Sequence, residues 1–150
     1  NDNWSTRMAE DGLFGSYYVK PTASALTQAW TLCQKSARPY NILRRHTLKL
    51  AFWPDGSDAN WDWIKTLEPQ KIGELRIDDH IATHDNVRII FFKSNIALNG
   101  DPISESGEVM KRIWVLAAFQ KKTQGFSANQ LKAWRGMRTI LVQRYYNGMS

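Results

Sequence analysis

The fold is decided by two apolar stretches, NVRIIFFK at residues 86–93 and RIWVLAAF at residues 112–119. β-Branched and aromatic side chains of this kind favour strands, and the second stretch is so uniformly apolar that it predicts a strand in the middle of a sheet. The segment IGELRI at residues 72–77 predicts a third strand. Only loops, at residues 78–85 and 94–109, are expected between the three, so the strands are predicted to form an antiparallel meander.

Regular structure is also expected before the meander. Apolar residues at three- and four-residue spacing predict a helix at residues 22–37, capped by Thr22 and stopped by Pro39. Apolar and polar residues then alternate, which predicts a strand at residues 46–53.

A second helix is expected at residues 58–67, and a long C-terminal helix from Ser127, where Ser-Ala-Asn-Gln fits the capping-box pattern. The sequence therefore predicts the α+β class, with a small curved antiparallel sheet, helices packed on one face and a C-terminal helix. At 150 residues the chain is expected to hold one domain with an extension. We place an N-terminal extension with one helix at residues 1–40 and the main domain at residues 41–150.

The composition, 43% hydrophobic and 23% charged residues, is that of an ordinary globular protein and argues against wholesale disorder. No stretch approaches the roughly 20 apolar residues that span a bilayer, and the first residues lack the basic and apolar regions of a signal peptide. Cys33 is the only cysteine, which excludes an internal disulfide. These features predict a cytoplasmic protein.

The charge is distributed unevenly along the chain. There are 20 Lys and Arg against 14 Asp and Glu, a net charge of +6, yet residues 109–150 contain eight cations and no Asp or Glu. A cationic C-terminal third suggests a polyanionic partner, with nucleic acid the first candidate and an acidic protein the second. The alternative is a basic face that has no specific partner.

Basic residues recur at one end of the predicted meander. Arg76 lies in its first strand, Arg88 in its second, and Lys121 and Lys122 follow its third. Since residues at the same height on neighbouring strands lie about 5 Å apart, a cationic cluster is expected on the open side of the sheet. Such a cluster can bind phosphate and stabilise the charge of a phosphoryl transition state. Charged residues that protect a sheet edge from aggregation are an equally good interpretation.

The sequence has no pattern typical of a metal or cofactor site, and neither is expected. His80 and His84 are four residues apart, with Asp78, Asp79 and Asp85 beside them. These residue types suit a metal ion, but the segment is predicted to be a turn. We therefore favour solvated turn residues over metal ligands.

Three features of the second half of the chain recur in a known family. They are NVRIIFF at residues 86–92, RIWVLAAFQKKTQ at residues 112–124, and the basic helix that follows. Together with GELRI at residues 73–77, they resemble the phage-derived HigB-like branch of the RelE/ParE toxin superfamily, over residues 72–146. A strand that ends in Phe-x-Lys-Lys-Thr before a helix is typical of that branch. The resemblance implies a RelE-like fold, in which a helical hairpin lies between the first strand and the meander. The helix expected at residues 58–67 is the one that fits this place, and the helix at residues 22–37 is a candidate replacement for the missing one.

The resemblance also implies a function, that of the toxin in a type II toxin–antitoxin pair. Such toxins are metal-independent endoribonucleases that cleave mRNA, usually on the ribosome, by attack of the 2′-hydroxyl on the adjacent phosphate. Carried over by position, Arg88 and Lys122 become a phosphate clamp and transition-state stabilisers. Further catalytic candidates, which are basic or titrate near neutrality, are Lys121, Arg76, His84 and His80.

Contacts with RNA are implied outside the catalytic centre as well, and Tyr145 or Tyr146 could stack on a base; of the two, Tyr145 is taken as the candidate contact. The candidates are basic residues and this one aromatic residue: Lys93, Lys111, Arg112, Lys132, Arg135 and Tyr145. The implied partners are mRNA, the ribosome and an antitoxin of the helix-turn-helix type, whose acidic segment would suit the basic C-terminal third. Two alternatives stay open, a non-enzymatic gyrase inhibitor as in the ParE branch and an RNA-binding protein without catalysis.

Overall fold

The computed structural model describes residues 12–53, 64–67, 71–80 and 84–146. In these residues the strands are β1 (Leu13–Phe14), β2 (Tyr18–Pro21), β3 (Ile64–Leu67), β4 (Ile72–Asp79), β5 (His84–Ala97) and β6 (Lys111–Gln120). The helices in the same residues are α1 (Ala23–Leu32), α2 (Ala37–Thr47), the single turn α3 (Lys49–Phe52) and α4 (Ala128–Tyr145).

The six strands form one open sheet in the order β1-β2-β6-β5-β4-β3. Consecutive antiparallel pairing of β4, β5 and β6 confirms the predicted meander, and β6 lies in the middle of the sheet as its sequence predicts. The prediction of a wholly antiparallel sheet is wrong, because β2 pairs with β6 in parallel. A parallel pair needs a long crossover connection, and α1 to α3 lie within the one that follows β2.

Helices cover both faces of the sheet, so the prediction of helices on one face is also wrong. The apolar core under α1 to α3 includes Ile89 and Val115, whereas the core under α4 includes Ile90 and Trp114. Successive side chains of a strand point to opposite faces, so an uninterrupted apolar stretch makes both faces apolar. A single helical layer would have left one of them in water.

The helix predicted at residues 22–37 is two helices. Thr22 caps α1 as predicted, and its Oγ1 accepts a hydrogen bond from a backbone N–H at 3.2 Å. Gln34 and Lys35 then adopt left-handed φ angles of 56° and 55° and turn the chain into α2. Pro39 does not end a helix, contrary to the prediction. It lies in the first turn of α2, where the backbone N–H that proline lacks would have had no partner within the helix.

The strand predicted at residues 46–53 is wrong, since these residues complete α2 and form α3. Leu43, Thr47 and Leu50 are buried at helical spacing, and a short apolar stretch fits either period. The helix predicted at residues 58–67 is contradicted at residues 64–67, which form β3; the rest of it lies outside the described residues.

The expected boundary at residue 40 falls inside α2, and β2, which precedes it, is paired with β6. Residues on both sides of the boundary, among them Val19, Ala25 and Val115, belong to one core. The C-terminal helix is confirmed, with Ser127 and Gln130 forming the predicted capping box. None of the described helices has the length and apolarity that crossing a bilayer requires.

Candidate nucleic-acid site

Two arginines face each other near the end of the sheet where β4 turns into β5. Arg76 and Arg88 are directly opposite in the β4–β5 ladder, and Phe119 of β6 is opposite Arg88. Arg88 lies two residues from Ile90, which belongs to the core under α4, so these side chains share the α4 face. The structure thus brings together two of the basic residues that the sequence singled out, here called the arginine pair.

A buried carboxylate joins the arginine pair. Glu74 Oε2 lies 3.3 Å from Nε of Arg88, and its Oε1 lies 3.9 Å from Nε of Arg76. The Glu74 side chain is 4% exposed and that of Arg76 is 43% exposed. Two like charges directly opposite on a sheet repel, and the carboxylate offsets that repulsion. The arrangement leaves one guanidinium anchored inside and the other accessible to a ligand.

The two lysines leave β6 beside the arginine pair. The backbone N–H of Lys121 donates to the Asn86 carbonyl at 2.8 Å, which places Lys121 two residues from Arg88 along the ladder. Its ammonium lies 4.9 Å from the centre of the Phe126 ring. Lys122 is exposed. The Lys121 backbone therefore lies next to the arginine pair, and Lys122 follows it in the chain.

A histidine with an oriented ring lies in the turn at the same end of the sheet. His80 Nδ1 is 2.5 Å from Asp85 Oδ1, and its Nε2 is 3.9 Å from Asp78 Oδ2. A carboxylate on Nδ1 fixes the tautomer and leaves Nε2 to exchange a proton. The His80 side chain is 77% exposed, so a substrate lying over the turn can reach it.

The same three side chains also have the spacing of a cation site, since their ligand atoms lie within 4.8 Å of one another. The Asp78 and Asp85 carboxylates are 64% and 45% exposed, however, and exposed acidic groups of this kind are common without an ion. We therefore interpret the group as a histidine oriented by carboxylates.

His84 lies on the opposite face of the sheet from the arginine pair. A bulge, with Asn86 at φ 56°, interrupts the alternation, and His84 Nε2 is 3.7 Å from Cys33 Sγ under α1. His84 is 2% exposed, and burial lowers its pKa, an effect that Asp79 opposes and His46 reinforces. Burial also raises the pKa of the Cys33 thiol to about 11. A buried neutral ring on this face does not fit the catalytic role expected for His84.

Two of the expected RNA contacts are engaged within the protein. Arg112 donates from Nε and Nη2 to the Asp101 carboxylate at 2.8 and 2.7 Å. Its guanidinium also lies against the Trp114 and Tyr145 rings. Lys93 lies over the Trp53 ring at 5.4 Å, on the face away from α4. Arg112 therefore has a structural role, and Lys93 is remote from the arginine pair.

The remaining expected contacts are accessible. Lys111, Lys132 and Arg135 are exposed, and Tyr145 is 40% exposed at the end of α4. Lys132 and Arg135 lie on α4, the helix that covers the face of the arginine pair. Basic side chains thus extend from the end of the sheet along this helix, which suits a polyanion longer than one phosphate.

Sequence reasoning missed Glu74, the residue that joins the arginine pair. A signal was present, because Ile72, Glu74 and Arg76 alternate along one predicted strand and so share a face. The register of β4 against β5 was still needed to place Arg88 beside this carboxylate.

No protein-family model matches the chain, and no curated protein matches its sequence. The geometry of the arginine pair and its neighbours combines phosphate-binding cations with an imidazole, the side chain that most often serves as a general acid or base.

Proposed function

We propose that the protein is an endoribonuclease toxin of the RelE/ParE type, which cleaves mRNA without a metal and is held inactive by an antitoxin. The observation that carries this proposal is the arginine pair on buried Glu74, with Lys121, Lys122 and His80 at the same end of the sheet. Several cations around one small surface favour binding of a phosphodiester and stabilisation of its transition state.

The chemistry follows from the roles that these side chains can take. Arg76, the accessible guanidinium of the pair, binds the scissile phosphate, while Arg88 holds Glu74 in place beside it, and Lys122 neutralises the charge that builds on the phosphate oxygens. His80 Nε2 accepts the proton of the 2′-hydroxyl as the 2′ oxygen forms a bond to phosphorus. The bond from phosphorus to the 5′ oxygen breaks, that oxygen takes up a proton from water, and the products are a 2′,3′-cyclic phosphate and a 5′-hydroxyl.

The architecture supports the family part of the proposal. The resemblance implied a helical hairpin between the first strand and the meander, and α1 and α2 are consecutive helices between β2 and β4. The first of them covers part of the helix expected at residues 22–37, the candidate replacement, whereas residues 64–67 of the helix expected to fit this place form β3. A gyrase inhibitor of the ParE kind would not need a histidine oriented by carboxylates at the same end of the sheet as paired arginines, so the nuclease is the better interpretation.

Primer extension on a defined mRNA in a reconstituted translation system tests the proposal. We expect new 5′ ends with the wild type and about 100-fold fewer with Arg76→Ala or Lys122→Ala, because each removes a charge that stabilises the transition state. Both positions are exposed enough for the fold to survive. The control is Arg45→Ala, an exposed arginine on α2 at the other face.

Reactions without ribosomes separate ribosome-dependent from free cleavage. An intact message with the wild type, or equal cleavage by wild type and both site variants, would contradict the proposal. Gyrase inhibition would then be the next activity to assay.

A further inference from the structure

Three large apolar side chains are exposed around one groove, here called the apolar groove. Phe14, Phe52 and Ile103 are 47%, 50% and 67% exposed. They line a concavity of about 770 Å³ between the β1–β2 turn, the end of α3 and residues 103–111. Exposed apolar side chains that converge on a concave surface are typical of an interaction site.

The rim of the apolar groove carries acidic side chains, and backbone hydrogen bonds fix the conformation of the loop that bears them. Glu105 and Glu108 are exposed on it, with Lys111 as the cation among the described lining residues. The loop that carries the carboxylates is closed by a hydrogen bond from Ser104 N to the Glu108 carbonyl at 2.7 Å. A second, from Met110 N to the Pro102 carbonyl, measures 2.8 Å. The groove therefore does not depend on a ligand for its shape.

Helix α4 carries a surface of opposite shape and charge, here called the α4 ridge. Ala133, Gly136 and Ile140 follow at three- and four-residue spacing, so they share one side of the helix. Ile140 is 55% exposed, and a Cβ added to Gly136 would meet no atom of another described element within 4 Å. Lys132 and Arg144, both exposed, flank the ridge, and α4 contains no Asp or Glu.

A glycine inside a helix costs stability, and none of the residues that the structure describes packs against Gly136 to require one. A small side chain at that position does allow another backbone to come close to the helix. The ridge is thus a surface suited to close contact with a second molecule.

We propose that the α4 ridge of one molecule docks into the apolar groove of a second copy of this chain. Ile140 would lie among the exposed Phe14, Phe52 and Ile103 side chains, and the basic flanks of α4 would face Glu105 and Glu108. Charge complementarity between two surfaces of one chain selects a second copy as the occupant. Because the two surfaces differ, the contact is head to tail.

Sedimentation velocity between about 1 µM and 1 mM, the range of weak to moderate affinities, tests this inference. We expect the wild type to associate as its concentration rises. Ile140→Glu, which places an anion on the ridge, should weaken association at least about 10-fold, and so should Glu105→Lys combined with Glu108→Lys. Ile96→Glu is the matched control, since Ile96 is 45% exposed and lies in neither surface.

Mixing the variants gives the sharper result. The ridge variant keeps its groove and the groove variant keeps its ridge, so each should be monomeric alone while a mixture forms a one-to-one dimer. A monomeric wild type over the whole range, a mixture that stays monomeric, or association that Ile96→Glu weakens as much would each overturn the proposal. Arg76→Ala should associate like the wild type, which separates this inference from the proposed nuclease.

Discussion

Glu74 is the residue on which the geometry of the arginine pair depends. Replacing it by Gln leaves Arg88, whose side chain is 13% exposed, without a compensating charge. We expect Glu74→Gln to lower the free energy of unfolding by about 3 kcal/mol, the low end for breaking a buried ion pair, since Arg88 keeps some contact with water. Urea unfolding followed by circular dichroism measures the change.

The control is Arg88→Met, alone and combined with Glu74→Gln. If the two residues stabilise each other, the double variant loses less stability than the sum of the single losses, because no charge is left uncompensated. Additive losses of stability in the double variant would contradict a stabilising ion pair between Glu74 and Arg88.

The pH dependence of stability tests the buried His84. Burial lowers its pKa, so the unfolded chain takes up this proton first as the pH falls. The contribution of His84 to stability is therefore complete above its ordinary pKa of about 6.5 and is lost as the pH falls below it. Below this pH the wild type should lose up to about 1.4 kcal/mol per pH unit more than His84→Gln. If urea unfolding shows that the wild type and His84→Gln lose the same stability as the pH falls, that would contradict the burial of a neutral ring.

At the scale of elements, two glycines should respond in opposite ways to the same substitution. Gly136→Ala should raise the free energy of unfolding by about 0.5–1 kcal/mol, because Ala favours a helix and the new methyl group clashes with none of the described residues. Gly73→Ala should lower it by about 1–3 kcal/mol, because its Cβ would lie 2.5 Å from the Phe91 ring. Thermal unfolding at low protein concentration checks both predictions. Equal shifts of the melting temperature in the same direction would contradict the packing of β4 or α4.

The elements predicted correctly are those whose residue pattern lies within the element itself. The apolar content of residues 112–119 is sufficient to indicate a central strand, and Ser127 with Gln130 is sufficient to begin a helix. The strand predicted at residues 46–53 was wrong because Leu48, Leu50 and Phe52 fit an alternating pattern as well as a helical one. Packing against the sheet decided between them, and Leu50 is fully buried.

At the scale of the whole molecule, the unpredicted features come from pairings distant in sequence. Parallel pairing of Val19 with Ile113 makes the sheet mixed, and it joins residues 94 positions apart. The positions of the candidate site residues also depend on strand pairing. Register alone placed Arg76 opposite Arg88, but the bulge at Asn86 decided that His84 points away.

The most direct test of the account is cleavage of an RNA that carries a single 2′-deoxy substitution at the mapped cut site. The matched control is the same RNA with the ribose intact, assayed under the conditions in which primer extension detects cleavage. The account predicts that the intact RNA yields a 2′,3′-cyclic phosphate and a 5′-hydroxyl, and that the deoxy RNA is not cut there. Cutting of the deoxy RNA at the same position would contradict attack by the 2′-hydroxyl, and with it the roles given to the arginine pair and His80.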